Sequence, residues 1–549
     1  MTIRKSITAL SLSAISLFAA VDYAAEGKLW WSHIQFLADD KLEGRAAGTE
    51  GYRKAAAYVA GQFERLGLKP GGVSGYEQPV KFETRALVEA ESGLALVQGD
   101  RVEALVPGQE ATLSARGDKA GEITAPTVFV GYGLKIPEAN YDDLAGLDLK
   151  GKIAVYVNAP GPAQVSGNVK SHYSSGGERW ATLKRAGAIG IATIANPRVP
   201  IPTPGGDTPA AGRGGRGGRG GAPAAQPSFV LAAPDLRETG GLQVAVTIAR
   251  GGGEKFFAGS GHTYDEILKA AAANEPLKGF NLSVQLRAKS AFTSGSVEAP
   301  NVVAVLPGSD PKLKDEYVVF SCHLDHLGIG RPVNGDALYN GAMDNASGVA
   351  SVLEVARLFH DSGVKPKRSL IFVTVTAEEK GELGSWYFSA HPTGIGGKEI
   401  SPKQIVADIN LDMFLPLYKL KVLEVQGLAE SSLGDVVRLA AKEEGVDVQT
   451  DREPEQNRFI RSDQYSFIKR GIPALAFKFG YEFGSPEEKT RLEWVKNIYH
   501  KPADDLNQPV DAESAAKFDR IIFGLMRRVA DDPARPHWND DSFFKRFAK

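Results

Sequence analysis

Tyr317-Val318-Val319-Phe320-Ser321-Cys322-His323-Leu324-Asp325-His326-Leu327-Gly328 begins as an apolar run and ends in two histidines, an aspartate and a glycine. Such a run, bounded by turn formers, reads as a strand buried on both faces. Similar runs recur at Asn301 to Leu306, Ser369 to Thr376, Ile405 to Leu411 and Ala474 to Phe479. Helical periodicity lies between them, at Ala346 to His360 and Gly434 to Glu444. This alternation predicts an α/β domain built on a mostly parallel mixed sheet flanked by helices. Ligands of such sheets bind beyond the carboxyl ends of the strands. The polar residues fall there: His323 closes one strand, Glu378 and Glu379 follow another, and Asp412 ends a third.

At 549 residues the chain is long enough for two or three domains. Arg4 and Lys5 precede the small and apolar stretch Ser6 to Val21, the pattern of an export signal. A signal peptide is expected over 1–21, directing the protein to the periplasm or the medium. No second run of spanning length follows, so no stable membrane span is expected after its removal. A net charge of −2 provides no field that favours nucleic acid or an anionic membrane. Cys322 is the one cysteine, which excludes an intramolecular disulfide. Strand alternation places it opposite His323, in the core.

Towards the N-terminus, Tyr52 to Leu66 carries Ala55, Val59, Phe63 and Leu66 near helical spacing, and Gly67 ends the pattern. From Ala86 to Val246 the character changes to short β-like runs, with one helical stretch at Arg179 to Ala186. A small β-rich domain is therefore expected as an insert at about 116–275. It divides the larger domain into 22–115 and 276–549. Within the insert, 202–226 is dominated by Gly, Pro and Ala around Arg213, Arg216 and Arg219. That composition cannot bury a core and is expected to form a disordered loop.

The strand-end residues form a ligand set for a pair of divalent metals. His323 and Asp325 share a face of an extended segment. One imidazole nitrogen can bind metal while the Asp325 carboxylate takes the N–H of the other and fixes the tautomer. His326 leans away and is not expected as a ligand. Asp344 lies in Gly341-Ala342-Met343-Asp344-Asn345-Ala346-Ser347-Gly348, just before a helix. Its two oxygens could bridge metals about 3.5–4 Å apart. Glu378 and Glu379 can diverge in a loop, so that one binds metal and the other serves as general base. Asp412 is an acid ending an apolar strand, which implies pairing or coordination. His500 follows Tyr499, whose hydroxyl could stabilise an oxyanion.

Together, His323-Leu324-Asp325, Asp344 within Asn340 to Gly348, Glu378-Glu379, Asp412 and His500 resemble the M28 family of co-catalytic zinc aminopeptidases and carboxypeptidases. The likeness is strong over Asn301 to Asp505 and weak over Leu37 to Thr49. The resemblance implies a zinc exopeptidase-like fold and two Zn2+ per chain. Asp344 would bridge them, Glu379 and His500 would complete one site, and His323 and Asp412 the other. Glu378 would be the general base, Asp325 would orient His323, and Tyr499 would assist the oxyanion. Arg461-Ser462-Asp463 resembles a segment beside the family's substrate pocket, which implies substrate contacts from Arg461 and Asp463. Gln464 stands where a histidine often follows, and Met343 where an acid often precedes the bridging aspartate. Val130-Gly131-Tyr132-Gly133, Tyr141 to Gly146 and Gly151-Lys152-Ile153 resemble a protease-associated (PA) domain, which this family commonly carries as an insert. The implied activity is removal of N-terminal residues from peptides. A carboxypeptidase or dipeptidase of the same family is the alternative; a single-zinc glutaminyl cyclase and a non-enzymatic receptor-like member are weaker ones.

Overall fold

The computed structural model describes residues 21–118, 121–159, 161–165, 167–197 and 227–548. The expected signal segment, apart from Val21, and the loop 202–226 lie outside the described residues. Among these residues the chain builds two large sheets. The first is ten-stranded, in the order Ser228–Leu231, Glu77–Leu87, Phe292–Leu306, Ser369–Val375, Tyr317–His323, Ile405–Leu411, Ala474–Phe479, Val422–Gln426, Asp447–Gln449, with Lys69–Pro70 also pairing to Phe292–Leu306. Its centre is parallel: Tyr317–His323 lies between Ser369–Val375 and Ile405–Leu411, and the latter pairs in parallel with Ala474–Phe479. Antiparallel strands flank this centre, so the sheet is mixed.

Alternation along the buried strand divides its side chains between two cores. Val318, Phe320 and Cys322 face the layer made by helices Tyr23–Leu37, Glu50–Arg65, Ser347–Ser362 and Ala512–Asp531. Tyr317 and Val319 face Phe388 and Phe467 on the other side. Helix Glu50–Arg65 begins where the Thr49 side chain accepts from the Tyr52 amide. It buries Tyr52, Ala55, Ala56, Val59 and Phe63 at helical spacing. A buried Val or Phe of this kind contributes about 1.5–3 kcal/mol. Gly67, at φ 69°, turns the chain out of it.

The second sheet has eight strands, in the order Arg101–Ala104, Gly93–Gln98, Phe280–Ser290, Gly121–Phe129, Ile153–Asn158, Gly190–Ala195, Val244–Ile248, Ala111–Leu113. It is wider than the interval 116–275 drawn from the sequence. Gly93–Gln98 and Phe280–Ser290 lie outside that interval and pair with each other. Their half-buried alternation gives no compositional break at either boundary. Conversely, Ser228–Leu231 lies inside the interval yet pairs with Phe82 to Arg85 of the first sheet. The segment after that strand stays with the first body: Leu236 packs in its core, and its carbonyl accepts from Trp386 Nε1 at 2.9 Å. The second body touches the first where His172 Nδ1 meets the Tyr465 hydroxyl at 2.5 Å.

Candidate metal centre

The parallel registers set His323 beside Val375, and Cys322 beside Leu411. The residues just past those partners are therefore neighbours in space. Three loop positions that turn side chains inward take left-handed backbone: Ala377 (φ 55°), Met413 (φ 49°) and His500 (φ 53°). Such conformations cost non-glycine residues about 1–3 kcal/mol each and cluster at functional sites. Gly341, at φ 67°, is required for close approach: a Cβ there would lie 2.2 Å from the Asp344 carbonyl oxygen and 2.5 Å from the His326 ring.

Asp344 lies at the centre. Its Oδ1 is 3.3 Å from His323 Nε2, and its Oδ2 is 3.1 Å from His500 Nε2. Asp412 Oδ1 approaches the same His323 nitrogen at 3.7 Å. Glu379 Oε1 is 3.4 Å from His500 Nε2 and 2.9 Å from His326 Nδ1. Two overlapping groups result, His323–Asp344–Asp412 and His326–Asp344–Glu379; within each, ligand atoms lie within 4.8 Å of one another. All five residues expected as ligands thus converge. His326 joins them, against expectation: the chain leaves the strand after His323, so strand alternation no longer governs where His326 points.

The Asp325 expectation needs correction. Nδ1–H of His323 donates to the backbone carbonyl of Asp325 at 3.0 Å, not to its carboxylate. The carboxylate turns to the next strand end and accepts from the Glu378 amide at 3.0 Å and the Glu379 amide at 3.4 Å. Asp325 therefore fixes the tautomer through its main chain and the two-glutamate loop through its side chain. Asp344 does not cap helix Ser347–Ser362, which carries no side-chain cap.

Two residues given no role above hold the centre in place. The buried Asp504 carboxylate accepts from the amides of Met343 (2.8 Å) and Asp344 (2.9 Å) and from Gln508 Nε2 (2.7 Å). Gln508 in turn accepts from Trp494 Nε1 at 2.6 Å. Arg45 is fully buried, and its guanidinium donates to the carbonyls of Leu37, Leu324 (3.1 Å), Asn340 (2.6 Å) and Gly341 (3.0 Å). Burial pulls Arg45 down to about 10, against the attraction of Asp504, Asp325, Asp344 and Glu379. It is a fixed positive charge behind an acidic centre. The one sequence signal for either was position, Asp504 in the His500 segment and Arg45 in the turn-rich stretch before Thr49.

Electrostatics separates the two glutamates. Burial lifts Glu378 well above the usual carboxylate range, and Glu379, Asp412 and Asp463 add repulsion that His323 does not offset. Burial also opposes ionisation of Glu379, but His500 and His326 outweigh it and hold that carboxyl below its usual range. For Asp412 the opposing burial is overcome chiefly by Lys478, leaving it at about 2. His323 is lifted well above the usual histidine range because Asp344, Asp412 and Glu378 outweigh its burial, and His500 because Tyr499, Glu379 and Asp344 do. His323 Nε2 and His326 Nε2 are buried without a hydrogen-bond partner among the described residues. Imidazole nitrogens facing shared carboxylates suit a divalent cation of the zinc type.

The Tyr499 ring stacks on His500 at 3.9 Å and 24°. Arg461 lines a cleft that starts at Asp412. Asp463 does not line it. Its carboxylate is fully buried near Ser385 and Glu382, and burial lifts it to about 7. Ser462 and Gln464 line the cleft instead.

Residues 301–526, which carry every one of these ligands, match the family model described as Peptidase family M28. Over those residues the chain is similar to peptidase family M28. Carboxypeptidase Q from Xenopus laevis is 32% identical over 141 residues, 26% of this chain and 26% of that protein. The match thus spans about a quarter of the relative's length. Leupeptin-inactivating enzyme 1 from Streptomyces exfoliatus is 25% identical over 302 residues, 54% of this chain and 61% of that one. In fold, the chain is similar to an aminopeptidase from Aneurinibacillus sp. strain AM-1, with TM-score 0.52 and 22% identity over 93% of this chain and 95% of that one.

Proposed function

We propose that this chain is an exported metallopeptidase of the M28 type that binds two zinc ions and removes N-terminal residues from peptides. The observation that carries the proposal is the position of Asp344, whose two oxygens face separate histidines at 3.3 and 3.1 Å. His323 and Asp412 would hold one ion; Glu379 and His500, with His326 beside them, would hold the other. A bound zinc pair supplies Lewis-acid polarisation of a carbonyl and acidification of water.

The protein's own groups do the rest. Glu378 takes the proton of the attacking water and delivers it to the leaving amine. Its raised affinity for a proton suits that exchange. The Asp325 carboxylate fixes the backbone from which Glu378 reaches. The Asp325 carbonyl keeps a proton on His323 Nδ1, so that Nε2 remains the coordinating atom. Tyr499, stacked on His500, offers its hydroxyl to the developing oxyanion. The second sheet, with its Gly131, Tyr132, Gly133 and Asp143 turn, is read as the PA-like insert.

A second reading, carboxypeptidase or dipeptidase action, is favoured by the match to Carboxypeptidase Q and by the basic side chains of the cleft. The test is hydrolysis of a short peptide with free termini beside its N-acetylated twin, with and without a chelator. Chelator-sensitive cleavage of the free-amine peptide alone supports the aminopeptidase. Equal cleavage of both rejects amine recognition, and chelator-resistant cleavage rejects the metal.

A further inference from the structure

His326 is not among the expected ligands, yet it lies inside the centre. Its side chain is fully buried, with Nδ1 2.9 Å from Glu379 Oε1 and 4.0 Å from Asp344 Oδ2. The ring is held in place. A Cβ at Gly341 would lie 2.5 Å from its Cγ, and the His326 amide donates to the Arg45 carbonyl at 3.3 Å. Two roles fit these distances. A lone pair on Nδ1 would make His326 a metal ligand beside His500. A proton on Nδ1 would make it a donor to Glu379.

The other ring nitrogen decides between them. A neutral imidazole carries one proton, on one of its two nitrogens. If Nδ1 held an ion, Nε2 would carry that proton, and ligating histidines give it to an acceptor. His323 follows this rule, with its Nδ1–H on the Asp325 carbonyl at 3.0 Å. His326 Nε2 is buried and has no acceptor among the described residues. A buried N–H without an acceptor is costly. The proton therefore belongs on Nδ1, where a carboxylate accepts it in a charge-assisted hydrogen bond.

We propose that His326 is a positioning residue that donates Nδ1–H to Glu379, reserves that carboxylate for the metal and binds no metal itself. The proposal rests on the metallopeptidase reading above and specifies how one of two adjacent glutamates becomes the ligand. Asp325 and His326 divide the task. Asp325 accepts from the amides of Glu378 and Glu379 at 3.0 and 3.4 Å, and so treats the two residues alike. Among the described residues, the His326 ring pairs with the carboxylate of Glu379 and not with that of Glu378. It is the contact that tells them apart. Glu379 is held as a ligand, and Glu378 is left to move the proton.

The experiment titrates zinc into the metal-free full chain against a competing chelator, which reads two affinities. His326→Leu should lower one of them about 10- to 100-fold, the usual contribution of a group that orients a metal ligand, and leave the other within about threefold. His326→Asn carries an amide N–H close to the place of Nδ1–H, and should return the lowered affinity to within about threefold of the unaltered protein. Equal losses in the two variants would make His326 a ligand and overturn the proposal. No loss in His326→Leu, or a parallel fall of both affinities, overturns it as well. A measurement on the unaltered protein needs no variant to fold. With isotopically labelled histidine and cadmium, nuclear magnetic resonance counts the imidazoles coupled to metal. Only the rings of His323 and His500 are expected to couple, and coupling at His326 overturns the proposal. Unaltered protein that takes up neither zinc nor cadmium overturns the metallopeptidase reading itself, and this proposal falls with it.

Discussion

Replacing Asp504 by asparagine tests whether the metal centre is positioned by its backbone. The carboxylate accepts from two adjacent amides, Met343 on Oδ1 and Asp344 on Oδ2, and Gln508 also donates to Oδ1. Asparagine keeps the shape but offers one acceptor oxygen. One amide hydrogen would then face an NH2 group inside the protein. Loss of a hydrogen bond to a charged group costs about 1.5–3 kcal/mol, and a buried unsatisfied amide about 1–3 kcal/mol. The sum is about 2.5–6 kcal/mol. Part of it lowers stability and part is released as movement of the Asp344 loop. Supports of this kind typically contribute 10- to 100-fold in metal affinity. Because Asp344 belongs to both ligand groups, both affinities should fall together by about that factor. Zinc titration against a competing chelator measures the affinity, and thermal unfolding of metal-free protein measures the stability. Unchanged zinc affinity with a lowered melting temperature would refute the positioning argument. No change in either would refute the energetics as well.

Glu378→Gln should retain both metal sites in a titration yet lose about 10²- to 10⁴-fold in kcat, the usual contribution of a general base; near-normal turnover would remove Glu378 from that role. Asp344→Ala should abolish stoichiometric binding of both metals, and retention of two ions per chain by elemental analysis would exclude the shared ligand. Arg45→Met should destabilise the chain by about 3–5 kcal/mol, the usual cost of removing one partner from a buried charge network, read from denaturant unfolding. His172 is held down at about 4, first by burial and then by Lys469. Its unfolded value is about 6.5, so the unfolded chain binds more protons between those pH values and stability falls on acidification through that window. The full effect is about 3 kcal/mol. His172→Gln should flatten the profile of melting temperature between pH 4 and 6.5, and equal slopes in both proteins would refute the assignment.

The central sheet was legible because its strands are buried on both faces. Tyr317 to His323, Ser369 to Val375 and Ile405 to Leu411 are uniformly buried, so apolar composition alone marks them. Their polar terminal residues could be read as a cluster because parallel pairing brings strand ends together. Past those ends the logic fails. His326 and Asp325 lie where the chain is no longer extended, and the role of each depends on Glu378 and Glu379, distant in sequence. Arg45 and Asp504 act on backbone groups, which leave no trace in residue type. Asp463 was expected beside the substrate because Arg461-Ser462-Asp463 resembles a family segment, but a short helix begins there and turns its side chain away from the cleft. The limits of the second sheet were hidden for a related reason. Strands such as Gly93–Gln98 alternate buried with partly exposed positions, so they lack the continuous apolar run that marks a central strand.

The pairing of Glu77–Leu87 with Phe292–Leu306 has a consequence during synthesis. The two strands match along their length, from Leu87 opposite Phe292 to Glu77 opposite Val302. About two hundred residues separate them in the chain, and at 5–20 residues per second the ribosome takes roughly 10–40 seconds to supply the partner. Throughout that interval Glu77–Leu87 is a nascent strand with Val80 and Phe82 ready for burial and one side unfilled. Ser228–Leu231 emerges earlier and pairs along its other side, from Phe82 to Arg85. That short strand lets part of the waiting segment pair within the chain, before a neighbouring polypeptide can compete for it.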